Sequence, residues 1–185
     1  MNNRIHDNYN NKKNKNIDID NKLSLTIIKD TNIKQYVMSY DNKNISYTIN
    51  KEECSNLICK FGVEHLGVQI RLNLFILNNY DSGFIDFIKY WEDYFSKIYS
   101  NKYTFQSIIH NNDKYDSKII LHLKKNRGKI ITNLNSNNTG KTWFDLEKEK
   151  QFYIYGIISI NCLWINNDTN TFGLSFEWND VTLNN

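Results

Sequence analysis

Apolar and polar residues alternate along most of this chain, and from residue 23 onward the period is mostly two. The stretch "GVQIRLNLFIL" (67–77) alternates over its whole length. Val68, Ile70, Leu72, Leu74 and Ile76 share one face, and Gln69, Arg71, Asn73 and Phe75 share the other. Successive strand residues point to opposite faces, so this pattern predicts a strand buried on one side. Upstream, "QYVMSY" and "NISYTI" flank the turn signal "DNKN", which predicts a hairpin. Order is expected to begin at "LSLTII" (23–28).

The period changes once. In "SGFIDFIKYWEDYFSKIYS" (about 83–100), Phe84, Phe87, Ile88, Trp91, Phe95 and Ile98 recur at three- and four-residue spacing. That spacing predicts one long helix with an apolar stripe. Asp81 or Ser82 is positioned to cap its start. Asp86, Lys89, Asp93 and Lys97 fall on the opposite, solvated side.

Period two then returns. "YTFQSII" (103–109) is followed by "SKIILHLKK", the turn "NRG" and "KIITNL", a second hairpin. A polar loop, "NSNNTGKTWF", leads into "DLEKEKQ", expected to make a helical turn. The chain closes in "FYIYGIISINCLWI", the turn "NNDTNT" and "FGLSFEWNDVTL". Phe172, Leu174, Phe176 and Trp178 alternate strictly, and then Val181 and Leu183 switch parity. The switch predicts a bulge or bend near Asn179-Asp180. Strands, one helix and more strands do not make the βαβ rhythm of a parallel sheet. The expected class is mainly β, a β-rich α+β fold: a small, mostly antiparallel barrel or sandwich with one long mid-chain helix. Residues 1–20 lack periodicity and read as a flexible basic arm, and 21–185 as a single β-rich domain.

Composition adjusts this picture modestly. There is no proline or alanine, and roughly one residue in six is Asn. This is the signature of a very AT-rich genome, so individual Asn and Lys residues carry little functional information. The formal net charge of +3 permits an anionic partner without requiring one. Three cysteines, Cys54, Cys59 and Cys162, form no disulfide framework and suit a reducing compartment. The start carries no apolar signal region, and no apolar run is long enough to span a membrane. The expectation is a soluble, intracellular protein with no membrane partner.

Several chemistries are weighed against these residues. Gly140-Lys141-Thr142 matches the end of a phosphate-binding loop, but the first glycine of that motif would fall at Asn135, and where a helix should begin at Lys141, Trp143-Phe144 leads only into a short charged stretch. Cys54, Cys59 and His65 could supply three zinc ligands, with a fourth needed from a distant Cys162 or His122. The ordinary reading is buried thiols, and no metal or cofactor is expected. His6, His65, His110 and His122 are scattered outside any nucleophile motif, and the expectation is a non-enzyme.

Cations and aromatics make the strongest accumulation. "KKNRGK" gathers Lys124, Lys125, Arg127 and Lys129 at a hairpin tip, and Lys118, His122 and Lys124 share the strand face leading to it. Lys141 stands beside Trp143, and Arg71 and Phe75 project from the polar face of the long strand. Cations neutralise phosphates and aromatics stack bases, as single-strand binding requires. The closing stretch, with Gly156, Leu163-Trp164-Ile165, a polar turn, Phe172-Gly173 and Val181, resembles the OB-fold-related single-stranded-DNA-binding proteins of large DNA viruses. The resemblance implies an OB-like barrel, a single-stranded nucleic acid partner, a role in replication, repair or recombination, and residence in the host cytoplasm or nucleus. It supplies no binding residues; those named here rest on charge and exposure. The low net charge and Glu177 on the last strand keep a second reading open. That reading is a structural β-sandwich, a virion or assembly component, acting through self-association or contacts with other viral proteins.

Overall fold

Alternating segments become strands here because each can bury one face while the ladder satisfies its backbone groups. The computed structural model describes residues 22–67, 69–77, 82–112, 115–137 and 139–184. The arm expected at 1–20, Val68 and the proposed cap Asp81 lie outside them. The protein is mainly β. The described residues fall into two compact units, and the last two long strands contribute to both.

The first unit takes residues 22–48, 83–107 and 159–175. Strands β1 (Leu23–Lys29), β2 (Ile33–Tyr40) and β3 (Lys43–Asn44) form an antiparallel run, and the short β4 (Ser46–Ile49) follows it along the chain. Asp41 and Asn42 both adopt positive φ, the geometry of a tight hairpin turn, as "DNKN" predicts. The second half of β13 (Gln151–Asn166) pairs with β2, and the start of β14 (Thr171–Asn184) runs parallel to β7 (Thr104–Gln106). The long helix of this unit spans Gly83–Tyr99. It buries Phe84, Ile85, Phe87, Ile88, Trp91 and Phe95. Tyr47 packs its ring on Phe84 and Phe87, Tyr40 meets Trp91 edge-on, and Tyr99 lies against Phe172. Ile98, expected on the buried stripe, is 49% exposed. Glu92 is buried on the apolar side, where it accepts a hydrogen bond from Ser107 Oγ at 2.8 Å.

The second unit takes residues 49–77, 82, 108–158 and 176–184 among those described. A short helix, α1 (Lys51–Cys54), is capped by Asn50; the long helix is therefore α2. Strands β5 (Leu57–Leu66), β6 (Gln69–Ile76) and β9 (Tyr115–Leu123) pair antiparallel, and β8 (Ile109–Asn112) pairs with β9. The first half of β13 joins the free side of β5. The end of β14 runs parallel to β9 and to β12 (Asn133–Asn135), so the pairing is mixed rather than purely antiparallel. One sheet face buries Leu57, Cys59, Val63, Ile70, Leu72, Leu74, Ile76, Ile119, Leu121 and Leu123. The face predicted for residues 70–76 is the buried one.

The parity switch in β14 is real. Trp178 is buried, Asn179 and Asp180 are half-buried, and Val181 and Leu183 are buried again. Gly156 explains how the bend is accommodated. Its φ is +147°, and a Cβ there would lie 2.2 Å from the Asp180 carbonyl oxygen. Only a residue without a side chain lets β14 approach that closely.

A candidate nucleic-acid interface

The face of the second unit opposite its core is built by register. Glu64, Arg71, His122 and Glu177 are successive cross-strand partners on β5, β6, β9 and β14. Phe75, Lys118 and His110 form a parallel row on β6, β9 and β8. Between the rows lie Lys60, Asn73 and Ile120. Three of the residues singled out by sequence, Arg71, Phe75 and Lys118, therefore share one surface.

Acids on that face partly neutralise it. Arg71 Nε donates to Glu64 Oε2 at 2.9 Å, and Lys60 Nζ to Asp116 Oδ2 at 3.3 Å. Lys124 Nζ lies 3.4 Å from Glu177 Oε1. Burial works to raise the Glu64 carboxyl. Hydrogen bonds from Asn73 and Arg71, with the charges of Arg71 and Lys118, outweigh it and hold the group below its ordinary range. His122 is pushed below the usual imidazole value by burial and by Arg71; His110 is lowered by burial, Lys118 and Arg71. Asn73 is 2% exposed, and its Oδ1 has no partner among the described residues. Within the described residues Lys118 makes no ion pair.

The basic hairpin tip leaves this face at Lys124. Strands β10 (Lys125–Asn126) and β11 (Lys129–Ile130) are joined by Arg127 and Gly128, with φ of 48° and 79°. Positive φ at both positions makes the two-residue turn that matches strand twist. Lys125, Arg127 and Lys129 are exposed and make no ion pair among the described residues. The strand expected over "KIITNL" is broken. Ile131 and Thr132 leave the β10–β11 ladder, and the chain moves to pair with β14. Thr132 causes the break. Its buried Oγ1 accepts the Lys124 N–H at 2.7 Å and donates to the Trp178 carbonyl at 3.1 Å.

The other two predicted contacts are placed less favourably. Trp143 is half-buried, and its indole N–H donates to the Thr132 carbonyl at 2.9 Å. Lys141 is paired with Glu149. Thr142 starts the four-residue helix α3 (Trp143–Leu146) in a reciprocal cap with Asp145, whose carboxyl accepts the Thr142 N–H at 2.8 Å. The Gly-Lys-Thr segment thus serves as a helix entry. Cys54 and Cys59 are buried, burial drives the Cys59 thiol well up, and His65 turns to Glu147 at 2.8 Å. Among the described residues, no three His, Cys, Asp or Glu side chains are grouped to hold a metal ion.

Sequence reasoning missed β5 and, on it, Phe61. The pairing of β5 with β6 slips between Lys60 and Val63, so Phe61 and Gly62 form a bulge. Phe61 is 67% exposed with φ of 71°, and its ring meets Phe75 edge-on at 5.8 Å. Lys60 Nζ lies 4.8 Å from the Phe75 ring centroid. The available signal was Gly62 inside the otherwise strand-like "LICKFGV", because an isolated strand glycine marks a bulge. Neither protein-family models nor curated proteins match this chain. No helix among the described residues is long and apolar enough to cross a membrane.

Proposed function

We propose that the protein is a non-catalytic binder of single-stranded nucleic acid, with the β6–β9 face and the β10–β11 tip as its contact surface. The observation that carries the reading is the tip. Lys125, Arg127 and Lys129 project to solvent without acidic partners among the described residues, on a ribbon that continues the strand bearing Lys118 and His122. On the face itself each acid has a cation within ion-pair distance, so the surplus positive charge lies at Lys118 and the tip. Phosphates would be held at that surplus, and Phe75 supplies an apolar ring beside it. Lys141 and Trp143 contribute less, since both are engaged within the fold. Following the sequence resemblance, the reading takes the strands as an OB-like barrel and the ligand as single-stranded DNA handled during viral replication, repair or recombination.

Titration of a fluorescent oligo-dT at several salt concentrations tests this. Each phosphate contact on a single strand contributes about 0.7 to the slope of log K against log salt. Replacing Lys125, Arg127 and Lys129 with Gln should flatten the slope by about 2. No binding at low salt refutes the reading.

The second reading, an assembly component, is favoured by a different observation. Strand β1 is paired only with β2 among the described residues, and it exposes Leu25, Ile27 and Ile28, with Ile33 and Val37 beside them on β2. A long apolar edge is a template for pairing with another chain.

A further inference from the structure

We propose that Phe61 is a base-stacking residue, which the Phe61–Gly62 bulge holds out to receive one nucleobase against the Phe61–Phe75 pair. This inference rests on the single-strand reading above and adds to it a residue that charge patterning does not reveal.

Three features of the bulge hold the ring in place for this role. First, the backbone at Phe61 is unfavourable for its side chain. A bulky residue at φ of 71° crowds its Cβ against the carbonyl oxygen, and such positions are uncommon outside glycine and asparagine. Second, the bulge is fixed from outside. Phe61 N–H donates to the Lys150 carbonyl at 2.9 Å. Gly62, at φ of 67°, fits against α3 so closely that a Cβ would lie 2.7 Å from the Glu147 carbonyl oxygen and 2.9 Å from that of Leu146. Phe61, the residue just before it, is thereby turned outward. Third, the ring that results is exposed, although it is large and apolar. Burial therefore does not account for a phenylalanine here, whereas contact with a ligand would.

The surroundings select the ligand. Phe61 and Phe75 stand edge to face, so each keeps a π-surface partly open. Lys60 lies over Phe75, and Lys118 is the register partner of Phe75 on β9. A planar ring carrying an anionic group matches aromatic surface flanked by ammonium groups. A nucleobase with its phosphate has that chemistry. Lys60 is paired with Asp116, so a purely apolar protein segment would leave Lys118 unused.

The test uses the full chain and an oligo-dT carrying one 2-aminopurine, whose fluorescence is quenched by stacking. Wild type is expected to bind with quenching. Phe61→Ala should weaken binding roughly tenfold to a hundredfold, reduce the quenching, and leave the salt slope unchanged, because no phosphate contact is removed. Phe61→Trp should restore affinity. Phe61→Gly relieves the strained backbone and should raise the melting temperature while weakening binding, a combination that a purely structural residue would not give. If wild type binds the oligonucleotide and Phe61→Ala binds equally well, the inference is overturned while the single-strand reading stands. If wild type does not bind at low salt, the functional reading itself falls. If Phe61→Ala instead abolishes capture of a protein partner without changing oligonucleotide affinity, the ring serves protein docking and the inference is again overturned.

Discussion

Replacing Thr132 with Val should loosen the base of the basic ribbon. The two side chains have nearly the same volume, so packing is little disturbed, but the hydroxyl is lost. That hydroxyl is 3% exposed as part of Thr132, accepts from the Lys124 N–H and donates to the Trp178 carbonyl. Each bond contributes a net ~0.5–1.5 kcal/mol, and a buried group left without its partner costs about 1–3 kcal/mol. The Trp178 carbonyl retains the option of a second partner, and Lys124 is only half-buried, so the expected loss is about 2–4 kcal/mol rather than the full sum. With a urea dependence of about 2 kcal/mol/M, the midpoint should fall by roughly 1–2 M. Trp143 makes a convenient reporter, since its indole bonds the Thr132 backbone carbonyl, which the substitution leaves in place. Urea unfolding followed by tryptophan fluorescence is the assay. Thr132→Ser keeps the oxygen and should recover most of the loss. A Thr132→Val midpoint within about 0.3 M of wild type, at unchanged slope, would refute the role assigned to this hydroxyl.

His122 predicts an acid-sensitive fold. Its folded value lies below the ordinary one, because of burial and Arg71, so the unfolded chain binds more protons in the window beneath pH ~6.5. Stability from this group is fully present above that pH and declines as pH falls toward the folded value, by at most ~1.4 kcal/mol per pH unit. Denaturation at pH 5.5 and 7.5 should show the difference, and His122→Gln should shrink it; equal sensitivity in the variant would assign the effect elsewhere. At the β1 edge, Ile27 is 52% exposed, and Ile27→Lys should abolish any concentration-dependent association seen by sedimentation without lowering the melting temperature. A wild-type chain that stays monomeric at high concentration would remove the assembly reading.

Period-two patterning identified the elements where one face meets the core and the other meets water. It worked for β6, β9 and β14, including the parity switch after Trp178, because alternation there reports burial directly. It failed on β5, where Leu57, Ile58 and Cys59 are all buried and the bulge then inverts the register. It also joined β11 to β12, because nothing in "KIITNL" shows that the Thr132 hydroxyl will replace a ladder bond. The helix stripe was legible except at its end, where Ile98 runs past the surface that covers Phe95.

The candidate site divides along the same line. Local sequence determined the ribbon, since Lys125, Arg127 and Lys129 lie within five residues and a two-residue turn fixes their exposure. Only the tertiary structure decided what those and the other cations face. Arg71 meets Glu64 through a strand pairing, Lys124 meets Glu177 across more than fifty residues, and Lys141 is claimed by Glu149. Coulomb interactions depend on separation in space, which sequence spacing does not supply. The Gly-Lys-Thr loop became a helix entry once Asp145 capped it, and Phe61 became the most exposed aromatic among the described residues once Gly62 was wedged against α3. Sequence set which residues alternate and where the chain turns, because these are local properties of the backbone. Which charges cancel and which ring reaches solvent are set by contacts that exist only after distant strands have paired.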